Sequence, residues 1–168
     1  ETETVQFKYG ELMANASCFA CLGRPLLLNK SQEPVAVKTR KALAILGYLS
    51  RMSGMTAPRE ALADLLWSGA DRHKSMQSLR QGLRQLKSAE QEAGVDIVLS
   101  SSGHIQLNSA VFSSDLTELL TLLDRGKAGD FRDAEELWRG DFLAGFEDID
   151  PEFSDWLVVE RERIRSEV

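Results

Sequence analysis

Ser75-Met76-Gln77-Ser78-Leu79-Arg80-Gln81-Gly82-Leu83-Arg84-Gln85-Leu86-Lys87 is the stretch whose reading decides the fold. Met76, Leu79, Leu83 and Leu86 recur at helical spacing. At about 100° per residue this puts Lys74, Gln77, Gln81 and Arg84 on the outward face, with Arg80 and Lys87 along one flank. One side reads as core and the other as amides and cations, the side chains that read base edges and bind phosphates.

The sign of the charge sharpens this. From residue 71 to 87, Arg72, Lys74, Arg80, Arg84 and Lys87 oppose only Asp71, a local +4 in a chain of net charge −6. A solvated amphipathic helix gains by mixing signs at i,i+4. A helix facing a polyanion gains by excluding carboxylates from that surface. From the helix alone both readings stand.

The 168 residues and 43% hydrophobic composition fit one or two folded domains. Charge divides unevenly: residues 1–109 carry +3 and residues 110–168 carry −9. Two domains are the expectation, the first suited to a phosphate backbone and the second to a protein partner or scaffolding. The longest nearly apolar run, Ala42 to Leu49, is far short of the roughly 20 residues that span a bilayer. The acidic start Glu1-Thr2-Glu3-Thr4 is unlike a secretory signal, so a cytoplasmic location is expected. The absent initiator Met and the helical pattern running from Glu160 to Val168 suggest a piece of a longer protein.

Working outward, Cys18–Leu22, Leu26–Leu28 and Pro34–Val37 read as short strands. Lys38 opens a helix burying Ala42, Ile45, Leu46 and Leu49. A second helix has Thr56 as N-cap and Pro58 in its first turn, buries Leu62, Leu65 and Leu66, and ends near Trp67. The basic helix runs over about 72–93. Val95–Leu99 and His104–Leu107 flank Ser100-Ser101-Ser102-Gly103 as a hairpin, a wing over about 95–107. Strands, helix, helix, basic helix and hairpin follow one another in the order of a winged helix, whose third helix enters the major groove. Beyond Ser114 three further helices are expected. Their stripes are Leu116, Leu119, Leu120 and Leu123; Phe131, Ala134, Leu137 and Trp138; and Phe153, Trp156, Leu157 with Val159 or Ile164. Helix pairs of this kind stack into arrays.

The residues Leu22-Gly23-Arg24-Pro25, Arg40-Lys41-Ala42-Leu43 with Tyr48-Leu49, Arg59 to Trp67, Ser78-Leu79-Arg80-Gln81 with Leu86, and Trp138-Arg139-Gly140-Asp141-Phe142-Leu143 occur together in this order. In these the chain resembles the SARP family of bacterial transcriptional regulators. The resemblance implies an α+β fold: an OmpR-type winged-helix DNA-binding domain over 1–109, followed over 110–168 by the first helices of an all-α, TPR-like bacterial transcriptional activation domain. It also implies double-stranded DNA as partner, as direct repeats in promoters, with paired protomers (a homodimer on DNA) and RNA polymerase recruited. The chain departs from the family pattern at Gly82, Gln85, Lys87 and Ile105. Its wing lacks Lys and Arg.

The expected DNA contacts are Gln77, Gln81 and Arg84 to base edges, since Gln pairs with adenine and Arg with guanine in bidentate fashion. Arg72, Lys74, Arg80 and Lys87 are expected on phosphates. Lys38 and Arg40 at the first long helix add backbone contacts, their charge opposing that helix's dipole, and Ser101 and Ser102 bond phosphate oxygens from the wing. The alternative is a protein-interaction module that keeps the winged-helix scaffold without binding DNA. No enzyme, cofactor or metal is expected. Cys18 and Cys21 stand three apart without a second pair or suitably spaced His, so they read as buried thiols. Trp67, Trp138 and Trp156 read as packing residues. The acidic run from Glu147 to Glu152 lacks the spacing of a calcium loop and reads as a solvated linker or a helix cap.

Overall fold

The computed structural model describes residues 17–168, and the acidic start at Glu1–Thr4, with the reading placed on it, lies outside the described residues. Among the described residues the fold is mixed α+β, with two sheets and six α-helices. In chain order the first elements are β1 (Ser17–Ala20), β2 (Leu26–Leu28), β3 (Pro34–Val35), α1 (Arg40–Arg51), β4 (Thr56–Pro58), α2 (Arg59–Leu66) and α3 (Arg72–Ala93). Then come β5 (Val98–Ser100), β6 (His104–Leu107), β7 (Phe112–Ser114), α4 (Asp115–Arg125), α5 (Ala128–Leu137) and α6 (Pro151–Glu167).

The first sheet has the order β3-β2-β1-β7, with β1 antiparallel to β2 and parallel to β7. All four residues of β1 are buried. A strand covered on both faces loses the alternation of a half-solvated one, which is why Cys18–Leu22 reads as a continuous apolar run. Cys18 and Cys21 are buried free thiols, and burial pushes the pKa of each well up.

Thr39 caps α1, accepting from the Ala42 N–H, and Ala42, Ile45, Leu46 and Leu49 are buried as their spacing requires. The entry to α2 differs from expectation. Thr56 and Pro58 belong to β4, and the helix starts at Arg59 with Pro58 as an N-cap that makes no side-chain bond. The reason is a competing partner: Thr56, Ala57 and Pro58 pair with Gln106, Ile105 and His104 of β6, so the backbone joins a ladder instead of a first turn. The second sheet thus has the order β4-β6-β5, and the hairpin is anchored by a third strand.

Asp71 caps α3 by accepting from the Lys74 N–H, and Gly94, at φ +74°, ends it. Beyond the helix, Val95 and Ile97 are buried and the strand begins only at Val98. The buried Glu90 carboxylate accepts from the Val98 N–H at 2.6 Å and fixes where β5 starts.

The stretches on either side of residues 109 and 110 share the first sheet through β7, and the link continues into α4. Asp115, fully buried, accepts from the backbone N–H of Cys21 at 2.8 Å and of Leu22 at 3.1 Å, and pairs with Arg139 at 3.3 Å. The expected stripes shift in places. Leu122 is buried on α4 alongside Leu116 and Leu119. Phe131 is 52% exposed on α5, and Val159 is 51% exposed on α6. On α6 the buried set is Phe153, Leu157, Glu160 and Ile164, a row at i, i+4, i+7 and i+11 from which Val159 stands off. Glu160 occupies a core position because Arg51 bonds it at 2.6 Å, which gives the buried charge a partner. Trp67, Trp138 and Trp156 are partly buried against the core, and Trp156 meets Tyr48 edge-on at 5.0 Å.

Candidate nucleic-acid interface

The inward face of α3 carries Ser75, Leu79, Gly82, Leu86, Ala89 and Ala93, all buried, whereas Met76 and Leu83 are only partly covered. The buried stripe is therefore rotated toward small residues relative to the Met76–Leu79–Leu83–Leu86 stripe read from the sequence. Gly82 explains the rotation: a Cβ there would lie 3.4 Å from Ile45 Cδ1 and 3.5 Å from Trp67 Cη2. With little side-chain bulk at 75 and 82, α3 packs closely against α1 and the end of α2. Its opposite face is held outward, with Arg72, Lys74, Gln77, Arg80, Gln81, Arg84 and Lys87 all exposed.

These cations do not have equal freedom. Arg72 pairs with Glu60 at 2.8 Å. Lys87 lies 3.4 Å from the buried Glu90 carboxylate and 3.8 Å from Asp96, so it neutralises the group that fixes the start of β5. Lys74, Arg80 and Arg84 form no ion pair among the described residues. They span about 15 Å of helix at a rise of about 1.5 Å per residue, alongside the exposed amides of Gln77 and Gln81. The middle of α3 is a cationic, hydrogen-bonding strip without a carboxylate.

The N-terminus of α1 abuts this strip. The Thr39 hydroxyl donates to Gln85 Oε1 at 2.7 Å, a contact that sequence periodicity does not signal because it joins positions far apart in the chain. Lys38 is exposed beside it. Arg40 is engaged instead by the C-terminal part, its Nη1 donating to Asp148 Oδ1 at 2.8 Å and to the Gly145 carbonyl at 3.0 Å. The Arg40 guanidinium holds the Asp148 carboxyl below the usual carboxylate range, and Arg161 does the same to Glu147. Asp150 caps α6 and also accepts from the Ser68 backbone N–H and hydroxyl. The acidic run is therefore a capping clasp rather than a solvated linker.

At the wing, Arg59 donates from Nε to the Ser101 carbonyl at 3.1 Å and from its backbone N–H to the Gly103 carbonyl at 3.0 Å. These bonds fix the hairpin tip to the start of α2. The Ser101 hydroxyl is engaged with the His104 backbone within the turn, and Ser102 is exposed. Lys41 Nζ sits 5.2 Å from the centre of the Trp67 ring, a distance at which the ring face attracts a cation. Among the described residues no three His, Cys, Asp or Glu side chains converge as metal ligands. No helix among them is long and apolar enough to cross a membrane.

No family model and no curated protein matches the chain. Among solved structures, it is similar to Mycobacterium tuberculosis EmbR, determined in complex with a low-affinity phosphopeptide. The TM-score is 0.63 at 19% sequence identity, over 89% of this chain and 44% of that one. The likeness is one of fold, and the chain spans less than half of that protein's length.

Proposed function

We propose that the chain is the DNA-binding part of a transcriptional regulator, with α3 as the recognition helix in the major groove and the β5–β6 hairpin as the wing beside it. The observation that carries this reading is the strip of Lys74, Arg80 and Arg84, exposed and without ion pairs among the described residues, beside Gln77 and Gln81. A free guanidinium or ammonium meets phosphate without first breaking an internal pair. The major groove, about 12 Å wide, admits one helix. The fold shared with EmbR is compatible with this reading, and the five SARP-like motifs support it.

Under this reading residues 1–109 form the winged-helix domain and residues 110–168 begin a TPR-like activation domain. Arg84, Gln77 and Gln81 read base edges. Lys74, Arg80 and Lys38 hold phosphates; Arg72, Lys87 and Arg40 join them only by giving up carboxylate partners. Ser102 has the freer wing hydroxyl. Direct repeats, paired protomers and contact with RNA polymerase follow from the family resemblance.

A second reading, a protein-interaction module on the same scaffold, is favoured by the wing without Lys or Arg and by the engagement of Arg40 with Asp148. Selection of bound duplexes from a randomised DNA library separates the two. Enrichment of a short motif by the wild type, lost in Arg80→Ala/Arg84→Ala, supports the first reading; absence of enrichment by a folded wild type favours the second.

A further inference from the structure

We infer that Gln85 is a further DNA-binding residue, one that meets DNA through its amide N–H pair because Thr39 holds its carbonyl oxygen. The inference rests on the reading of α3 as a DNA-binding helix and names a contact which that reading does not contain.

The orientation follows from bonds around one hydroxyl. Thr39 Oγ1 accepts from the Ala42 N–H at 3.3 Å, the capping bond of α1. Its own proton then goes to Gln85 Oε1 at 2.7 Å. A free glutamine amide offers two donors and an acceptor and reads more than one base edge. Here Thr39 takes one lone pair of the carbonyl oxygen and anchors that end of the amide at α1, and no described residue accepts from Nε2. The end of Gln85 left without a partner among the described residues is its N–H pair.

Its place on α3 puts that pair at the proposed interface. Gln77, Gln81 and Gln85 follow at i, i+4 and i+8 along one row, and Gln85 is next to Arg84. Half-buried against the start of α1, it lies on the flank of the strip. A donor pair there is matched by an acceptor: a phosphate oxygen, or N7 or O6 of a purine. It is mismatched to the amino groups of adenine and cytosine. Thr39 is a positioning residue, linking the cap of the first helix to the reading state of the third.

The test measures binding of the whole chain to its selected duplex and to a scrambled one, across a salt series, with melting curves for each variant. Gln85→Ala should weaken binding about threefold to tenfold, the range for one neutral hydrogen bond. It should leave the salt slope unchanged, because an amide releases no counterion. Gln85→Glu should weaken binding further by placing a carboxylate where the donors stood, whereas Gln85→Lys, which keeps a donor, should bind at least as tightly as wild type. Thr39→Val should lower affinity as Gln85→Ala does, and Thr39→Ser should restore it. Equal loss on both duplexes identifies a phosphate as the acceptor, and loss confined to the selected one identifies a purine. Wild-type affinity in Gln85→Ala and Gln85→Glu overturns the inference while leaving the DNA reading intact. A wild type that binds no duplex overturns both.

Discussion

Leu143 lies directly over Gly47: a Cβ built on Gly47 would come within 2.7 Å of Leu143 Cδ1 and 2.9 Å of Cδ2. Leu143 is fully buried, stands at φ +54°, and has its backbone carbonyl held by Arg161 at 3.1 Å. A non-glycine residue at positive φ carries strain, so this loop is tightly defined and has little room to retreat. The missing side chain on α1 is the socket that docks the C-terminal part onto the first helix.

Gly47→Ala should therefore destabilise the fold by about 1–3 kcal/mol, the usual range for overpacking a core. At this chain length the melting temperature should fall by about 2–4 °C for each kcal/mol. A thermal melt monitored by circular dichroism checks it, and an unchanged midpoint would show that Leu143 yields freely.

The second interhelical glycine should respond in the opposite direction. A Cβ on Gly82 would meet only the ends of Ile45 and Trp67, at 3.4 and 3.5 Å, ordinary contact distances. Alanine in a helix interior gains about 1 kcal/mol over glycine. Gly82→Ala should stabilise the chain by about 0.5–1 kcal/mol in urea unfolding, without loss of DNA binding. A lower midpoint would place a harder contact at that crossing.

The clasp should loosen in acid. Hydrogen bonds from Arg40 and Arg161 hold Asp148 and Glu147 below their ordinary range in the folded chain. A carboxyl depressed by folding contributes fully above its unfolded pKa and loses that contribution as pH falls through the folded one. The stability difference between the wild type and Glu147→Gln/Asp148→Asn should thus be largest near neutrality and shrink below about pH 4. Glu118, pushed up by burial, works in the other direction and is common to both proteins. Melting temperatures from pH 7 to 3 give the comparison, and a gap independent of pH would remove titration as its cause.

Asp148 also competes with phosphate for Arg40. Exposed pairs of this kind are weak, so Asp148→Asn should raise affinity for any duplex by about fivefold at most. The gain should vanish in an Arg40→Ala background. Fluorescence anisotropy measures it, and an equal gain without Arg40 would assign the effect to lost repulsion instead of the freed guanidinium.

The fold was legible wherever local pattern and local structure coincide. The buried row of α1, the glycine stops at Gly94 and Gly126, and the outward cations of α3 all follow from spacing within one element. What escaped depends on partners distant in the chain. Thr56 caps nothing because β6 recruits its backbone, and Glu160 replaces Val159 in the core because Arg51 is there to pair with it. The same limit applied to the interface. Exposure of Arg72, Arg40 and Lys87 was readable from periodicity and charge, but their engagement by Glu60, Asp148 and Glu90 was not.

The distinction between free and engaged cations makes the salt dependence of DNA binding the most direct test of the account. Three phosphates neutralised by Lys38, Lys74 and Arg80 should give a slope of log affinity against log salt near −3, at about −0.9 per phosphate, with steeper values as the paired cations join. The Lys74→Ala/Arg80→Ala/Arg84→Ala variant, which leaves the Lys87–Glu90 pair in place, should lose sequence preference with Arg84 and flatten the slope by about two with the two phosphate contacts it removes. A slope near zero for the wild type, or one that the folded triple variant reproduces, would contradict DNA recognition by this face of α3.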